Sequence, residues 1–104
     1  MNKGRNEIIN TLDHIQEVTE MFYQQNNKEA FDCLLNILDE ITDMIDIMSY
    51  YSKETLEFEF DDNKVYNMLK QIMEALETGD EIMMADILQY DFCDYISKCL
   101  QQMK

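Results

Sequence analysis

The chain has 104 residues, of which 46% are hydrophobic, and its formal net charge at pH 7 is −14. This length predicts a single domain over 1–104, and the ordinary apolar fraction argues against intrinsic disorder. The excess of acids disfavours binding to nucleic acids or anionic membranes, because both present negative phosphates. We expect a cytoplasmic protein, since no apolar stretch reaches the roughly 20 residues of a membrane span and residues 1–30 contain no signal-peptide core.

The scarcity of backbone breakers predicts long helices. Proline is absent, and the two glycines are Gly4, near the N-terminus, and Gly79. Apolar residues at helical spacing predict helix 1 from about Asn6 to Asn26. Helix 2 is predicted to begin near Asn27, which is a suitable N-cap residue. The predicted core positions are Ile8, Leu12, Ile15, Thr19, Phe22 and Tyr23 in helix 1, and Ala30, Leu34, Ile37, Leu38, Ile41, Met44, Ile45 and Met48 in helix 2.

The segment from Ser52 to Asp62 has two interpretations. Leu56, Phe58 and Phe60 alternate with glutamates, a pattern typical of a strand. A single strand without a partner in the same chain is not stable. We therefore interpret the segment as an extended connector whose aromatic side chains pack on the bundle, with intermolecular strand pairing as the alternative.

The second half of the chain predicts two more helices. Helix 3 starts after Asp61-Asp62-Asn63, a good N-cap cluster. Its predicted core positions are Val65, Leu69, Ile72, Met73 and Leu76. Gly79 supplies a left-handed backbone position that ends helix 3, and Asp80 caps helix 4, which runs from about Glu81 to Gln102.

Four amphipathic segments with short connections predict an all-α fold, an antiparallel bundle of four helices. A three-helix bundle, in which helix 3 continues less regularly, is the alternative.

The sequence contains no pattern typical of a metal site, a cofactor site or a catalytic site. A di-iron bundle needs two Glu-x-x-His pairs, whereas this chain has one histidine, His14. Cys33, Cys93 and Cys99 lack CxxC spacing, so zinc is not expected, and we interpret them as buried free thiols. Carboxylates are abundant but no cleft is evident for acid–base chemistry, so we do not expect an enzyme.

Helix 2 carries a stripe of aspartates. At 100° per residue, Asp32, Asp39, Asp43 and Asp46 fall within about 60° of arc, opposite the predicted core face. One interpretation is a solvated face that keeps the protein soluble. The other is a docking strip for a basic partner.

Helix 4 is apolar on almost all sides over its first three turns. Beyond its main core face, Met83, Ile87 and Tyr90 form a second apolar group. Such a helix either lies centrally in the bundle or carries an exposed patch for a partner. We expect the exposed patch, with a C2 dimer as its simplest consequence.

The C-terminal hairpin has a recognisable pattern. The stretch Glu74-Ala75-Leu76-Glu77-Thr78-Gly79-Asp80, followed by Ala85-Asp86-Ile87-Leu88-Gln89-Tyr90-Asp91, resembles a family of small helical proteins of unknown function from low-GC Gram-positive bacteria. Gln89 stands where that family usually has an acid. The resemblance implies a helical bundle in such a bacterium and implies no particular activity.

These observations together predict an acidic helical bundle that acts as a protein–protein interaction module, either by self-association or by docking a protein partner. The alternative is a neutraliser of a basic protein, such as an antitoxin, an immunity protein or a nucleic-acid mimic, acting through residues 31–62. That segment holds ten acids and one lysine.

Overall fold

The computed structural model describes the backbone of residues 2–56 and 58–103, with side chains from residue 4 onward in these ranges. Helices account for 88% of these residues, and none of them lies in a strand. The all-α prediction is confirmed. The described part of the predicted connector forms no strand. The four helices are α1 (Asn2–Tyr23), α2 (Asn27–Thr55), α3 (Asp62–Glu77) and α4, which is continuous over 81–102.

The fourth helix has three parts. It is α-helical over Glu81–Asp86, π-helical over Ile87–Cys93 and α-helical again over Asp94–Gln102. A π-helical segment closes its hydrogen bonds over one more residue than an α-helix does. The side chains of α4 therefore change their angular phase within this segment.

Both helical hairpins end their first helix in the same way. Gly79 has a φ of +77°, as predicted, and the N–H of Asp80 donates to the carbonyl of Ala75 at 2.9 Å. At the end of α1, Gln25 takes the equivalent position with a φ of +65°, and the N–H of Asn26 donates to the carbonyl of Met21 at 3.0 Å. These are Schellman motifs, and the one at Gln25 ends α1 earlier than predicted.

The N-caps differ in how well they match the predictions. The side chain of Asp61 accepts from the N–H of Lys64 at 3.1 Å, and Asp80 accepts from Met83 at 3.0 Å, so both predicted acidic caps are confirmed. The residue that precedes α2 is Asn26, one earlier than predicted, and its side chain makes no capping hydrogen bond.

The connector between α2 and α3 is shorter than predicted, because α2 extends into it. Phe58 is buried, and the Ser52 hydroxyl donates to its carbonyl at 3.0 Å and accepts from the N–H of Phe60 at 3.1 Å. The aromatic side chains pack on the bundle as expected, whereas Leu56, with a φ of +56°, is almost fully exposed. Glu57 lies outside the described residues.

The helices form an antiparallel bundle. α1 packs against both α2 and α4, and α3 packs against α4. Arg5, in the first turns of α1, donates to the carbonyl of Leu100 near the end of α4 at 3.2 Å. Tyr23, the last residue of α1, donates to Asp86 near the start of α4 at 2.5 Å. These two contacts fix the opposite directions of α1 and α4.

The core confirms most predicted positions and corrects two of them. Every predicted core position of α1 is buried or half-buried. Leu38 and Met73, which were predicted to be buried, are 44% and 54% exposed. The physical reason is that α2 packs mainly on α1 and α3 mainly on α4, so the sides of α2 and α3 that face each other are incompletely covered. No helix within the described residues combines the length and the apolarity that crossing a membrane requires.

Candidate functional site

The predicted patch on α4 is interrupted. Met83 and Tyr90 are 54% and 62% exposed, but Ile87 between them is 7% exposed. The expectation that Ile87 belongs to an exposed patch is therefore wrong. The physical reason is that the π-helical segment beginning at Ile87 packs against both α1 and α3. The all-round apolarity of this part of α4 reflects a central position in the bundle.

Polar groups join the end of α1 to the first half of α4. Thr19 is fully buried, and its hydroxyl oxygen lies 2.8 Å from the carbonyl oxygen of Gln16 and 2.9 Å from Oε1 of Gln89. Burial, followed by the hydrogen bond to Asp86, raises the pKa of Tyr23 well above its ordinary value. These contacts position the two helices and leave their polar atoms hydrogen-bonded.

The two grooves beside the π-helical segment contain few reactive groups. A cavity of about 410 Å³ lies between α1 and α4, and one of about 590 Å³ lies between α3 and α4, with Tyr90 and Asp94 at the border of both. Burial raises the pKa of the Cys93 thiol to about 12 and also raises that of Cys99. Both thiols are protonated at neutral pH, and a protonated thiol is a poor nucleophile.

The polar clusters in the described part of the chain do not resemble a metal site. None of them brings together three or more histidine, cysteine, aspartate or glutamate side chains that could hold an ion. His14 pairs with Glu40 of α2 through Nδ1 and Oε1 at 2.8 Å, on the outer side of the α1–α2 hairpin. This pair ties the two helices together.

The aspartate stripe of α2 lies where the sequence predicts it. Asp32, Asp39, Asp43 and Asp46 are all exposed, on the side of α2 opposite its buried residues. The ion pairs of the described residues join other groups, namely His14 with Glu40, Lys53 with Asp62 and Lys98 with Asp94. The negative charge of the stripe is thus not compensated by an ion pair with any described side chain.

A second surface, not predicted from the sequence, lies between α2 and α3. We call it the α2–α3 face, and it consists of Phe31, Leu35 and Leu38 from α2 and Tyr66, Met73 and Leu76 from α3. Leu76 is half-buried and the other five side chains are exposed.

Contacts at both ends of α2 and α3 place these two helices beside each other. At one end, Asp62 at the start of α3 lies 3.6 Å from Lys53 and 3.5 Å from Ser49 of α2. At the other end, Phe31 and Leu76 line the same cavity of about 300 Å³. Because α2 and α3 run antiparallel, the apolar residues between these ends lie along one shared groove.

The aspartate stripe borders this groove. Asp32 and Asp39 stand three residues before and four residues after Leu35, so all three are neighbours on the helix surface. The groove therefore has apolar walls and one acidic edge. The sequence signal that could have revealed it is the width of the apolar arc on α2, which includes Phe31 and Leu35 and exceeds what a single neighbouring helix can cover.

Comparison with known proteins adds a family. No curated protein and no solved structure matches the chain. A family model described as a domain of unknown function, DUF8042, matches residues 5–102, and the chain therefore belongs to this family.

Proposed function

We propose that the protein is a protein–protein interaction module without enzymatic activity, and that the α2–α3 face is where its partner docks. The observation that carries the proposal is the exposure of neighbouring large apolar side chains along a groove between two helices. Leu35 and Met73, on opposite sides of the groove, are 51% and 54% exposed. Contiguous apolar surface of this kind is characteristic of interaction sites.

The proposal places the docking site away from α4. Met83 and Tyr90 are exposed, but the buried Ile87 separates them, so the predicted patch is not one continuous surface. Single exposed apolar residues are common on protein surfaces. The α2–α3 face, by contrast, contains five exposed large apolar side chains.

The proposal also includes the cellular compartment and the source of the protein. The free cysteines fit a reducing compartment, so we place the protein in the cytoplasm. The resemblance of the C-terminal hairpin supports an origin in a low-GC Gram-positive bacterium.

The second candidate function is neutralisation of a basic protein. It is supported by the four exposed aspartates of α2, which make no ion pair with another described side chain. The two functions differ in their response to salt. Neutralisation through charge alone weakens steeply as ionic strength rises, whereas docking on apolar side chains persists.

Site-specific photo-crosslinking in the native cell tests the proposed function. A photoreactive phenylalanine analogue replaces Leu35 or Met73, and the control carries it at Tyr90, which is equally accessible. We expect a discrete crosslinked protein from the two groove positions and not from the control. Equal crosslinking at all three positions, or none at the groove positions, would contradict the proposal.

A pair of matched variants completes the test. Leu35→Ser with Leu38→Ser should abolish the crosslink from position 73, while Met83→Ser with Tyr90→Ser should leave it unchanged. Circular dichroism checks that each variant retains its helices.

A further inference from the structure

We infer that the occupant of the α2–α3 face is an amphipathic helix of a partner protein, with lysines or arginines along the flank that meets α2. This inference rests on the proposed function and specifies the chemistry of the partner. It follows from the shape of the groove, from its asymmetric charge and from the charge of the chain as a whole.

The shape of the groove suits a helix. Two antiparallel helices flank it, and the apolar residues of α3 extend from Tyr66 to Leu76, about 15 Å at 1.5 Å per residue. An amphipathic helix of about three turns presents an apolar stripe of this length. Exposed side chains on both walls, Leu35 and Leu38 on one and Met73 on the other, would contact such a stripe.

The charge of the groove sets the polarity of its occupant. On the α2 edge, Asp32 and Asp39 form no ion pair with another described side chain, and the exposed Lys28 lies one turn before Asp32 at the end of the groove. The two acids outnumber this lysine, so the edge is negative on balance. On the α3 edge, the exposed Lys70 and Glu77 are of opposite sign. A cationic flank of the partner helix is therefore attracted to the α2 edge, while the α3 edge has no strong preference for either sign of charge.

The net charge argues against a second copy of this chain as the occupant. In a symmetric dimer formed through this face, each copy would bring its own aspartate stripe to the interface. The chain carries 22 acids and eight Lys and Arg, so association of two copies brings together like charges. A basic partner relieves this repulsion.

The test uses a synthetic helical peptide as the probe. The peptide has about 16 residues, with leucines at helical spacing and lysines along one flank of the leucine stripe. The control peptide has glutamate in place of each lysine. Fluorescence anisotropy with the full chain measures binding of both peptides at about 50 mM and about 300 mM NaCl.

We expect the lysine peptide to bind at least about tenfold more tightly than the glutamate peptide. Leu35→Ser with Leu38→Ser should weaken its binding more than about tenfold, and Asp32→Asn with Asp39→Asn should weaken it about three- to tenfold. Asp13→Asn with Glu17→Gln, the same change of charge on exposed positions of α1, should have little effect.

Other results overturn the inference. If the leucine substitutions have no effect, the peptide binds by charge alone. If both peptides bind equally, the aspartates do not select the partner. If light scattering shows a dimer that Leu35→Ser with Leu38→Ser dissociates, the occupant is a second copy. If the peptide test fails but position 35 crosslinks to a partner, only the inference that the partner is a basic helix is refuted. If no crosslink forms at the groove positions, the proposed function itself is refuted.

Discussion

Substitution of Ile87 by aspartate distinguishes a core position from a surface position. Ile87 is 7% exposed, so the change replaces a buried aliphatic side chain by a buried carboxyl group. Loss of the buried isoleucine costs about 1.5–3 kcal/mol. Burial of a carboxyl group adds about 1–3 kcal/mol. We therefore expect the free energy of unfolding to fall by about 2.5–6 kcal/mol.

This loss is large for a chain of this size. A domain of 104 residues has a free energy of unfolding of about 5–15 kcal/mol. Ile87→Asp should thus shift the urea midpoint strongly, and at the lower end of this range it should leave a substantial unfolded population. Met83→Asp is the matched control, because Met83 is exposed on the same helix and the change of charge is identical. Its effect should stay within about 0.5 kcal/mol.

The dependence on pH identifies the cause. Burial raises the pKa of a carboxyl group, so the folded Ile87→Asp variant binds a proton that the unfolded chain has released. Stability then falls as pH rises above the unfolded pKa of about 4 and through the raised folded value. Urea denaturation of Ile87→Asp and Ile87→Asn across this pH range separates the effect of the charge from the effect of the side-chain shape. Only the aspartate variant should show the additional fall of stability with pH. Equal stability of Ile87→Asp and Met83→Asp would refute the core assignment.

Four further predictions concern the ends of the helices. Gln25→Gly should raise the free energy of unfolding by about 0.5 kcal/mol, because glycine relieves the left-handed strain of about 1–2 kcal/mol but loses more chain entropy. Gly79→Ala should lower the free energy of unfolding by about 1 kcal/mol. The cause is backbone strain alone, since an added Cβ has no atom within 4 Å. Urea denaturation measures the stability change of both variants. Arg5→Ala should lower the melting temperature by removing the donor to the last carbonyls of α4, a loss of about 0.5–1.5 kcal/mol. Because burial, followed by the hydrogen bond to Asp86, raises the pKa of Tyr23, stability should fall as pH rises above about 10, and Tyr23→Phe should reduce that slope in urea melts. The same substitution should remove a tyrosinate absorbance that titrates above the ordinary tyrosine range; an unchanged slope would contradict the raised pKa of Tyr23.

The sequence predicted those parts of the fold that depend on local chemistry. Asp61 and Asp80 are caps because a carboxylate accepts backbone N–H bonds at a helix start, wherever the helix later packs. Gly79 ends α3 because glycine adopts positive φ at little cost. Gln25 performs the same role without such a signal, so the end of α1 was predicted three residues too late.

The candidate site depends on tertiary packing, which periodicity does not encode. The pattern of α2 correctly separated the aspartate stripe from the apolar side, but it could not show that α1 covers only part of that side. Leu38 was therefore assigned to the core. On α4, periodicity could not show that both α1 and α3 pack against the segment that begins at Ile87, which buries this residue.

The distribution of polar contacts explains how a stable bundle can keep one groove open. The seam between α1 and α4 is held at both ends, by Arg5 at one end and by Thr19 and Tyr23, one turn apart, at the other. The seam between α2 and α3 has its described polar contacts at Asp62, where an exposed ion pair contributes at most about 1 kcal/mol. Closure of the fold thus depends on α1 and α4, and the groove between α2 and α3 can be occupied by a partner without loss of the contacts that hold the bundle together.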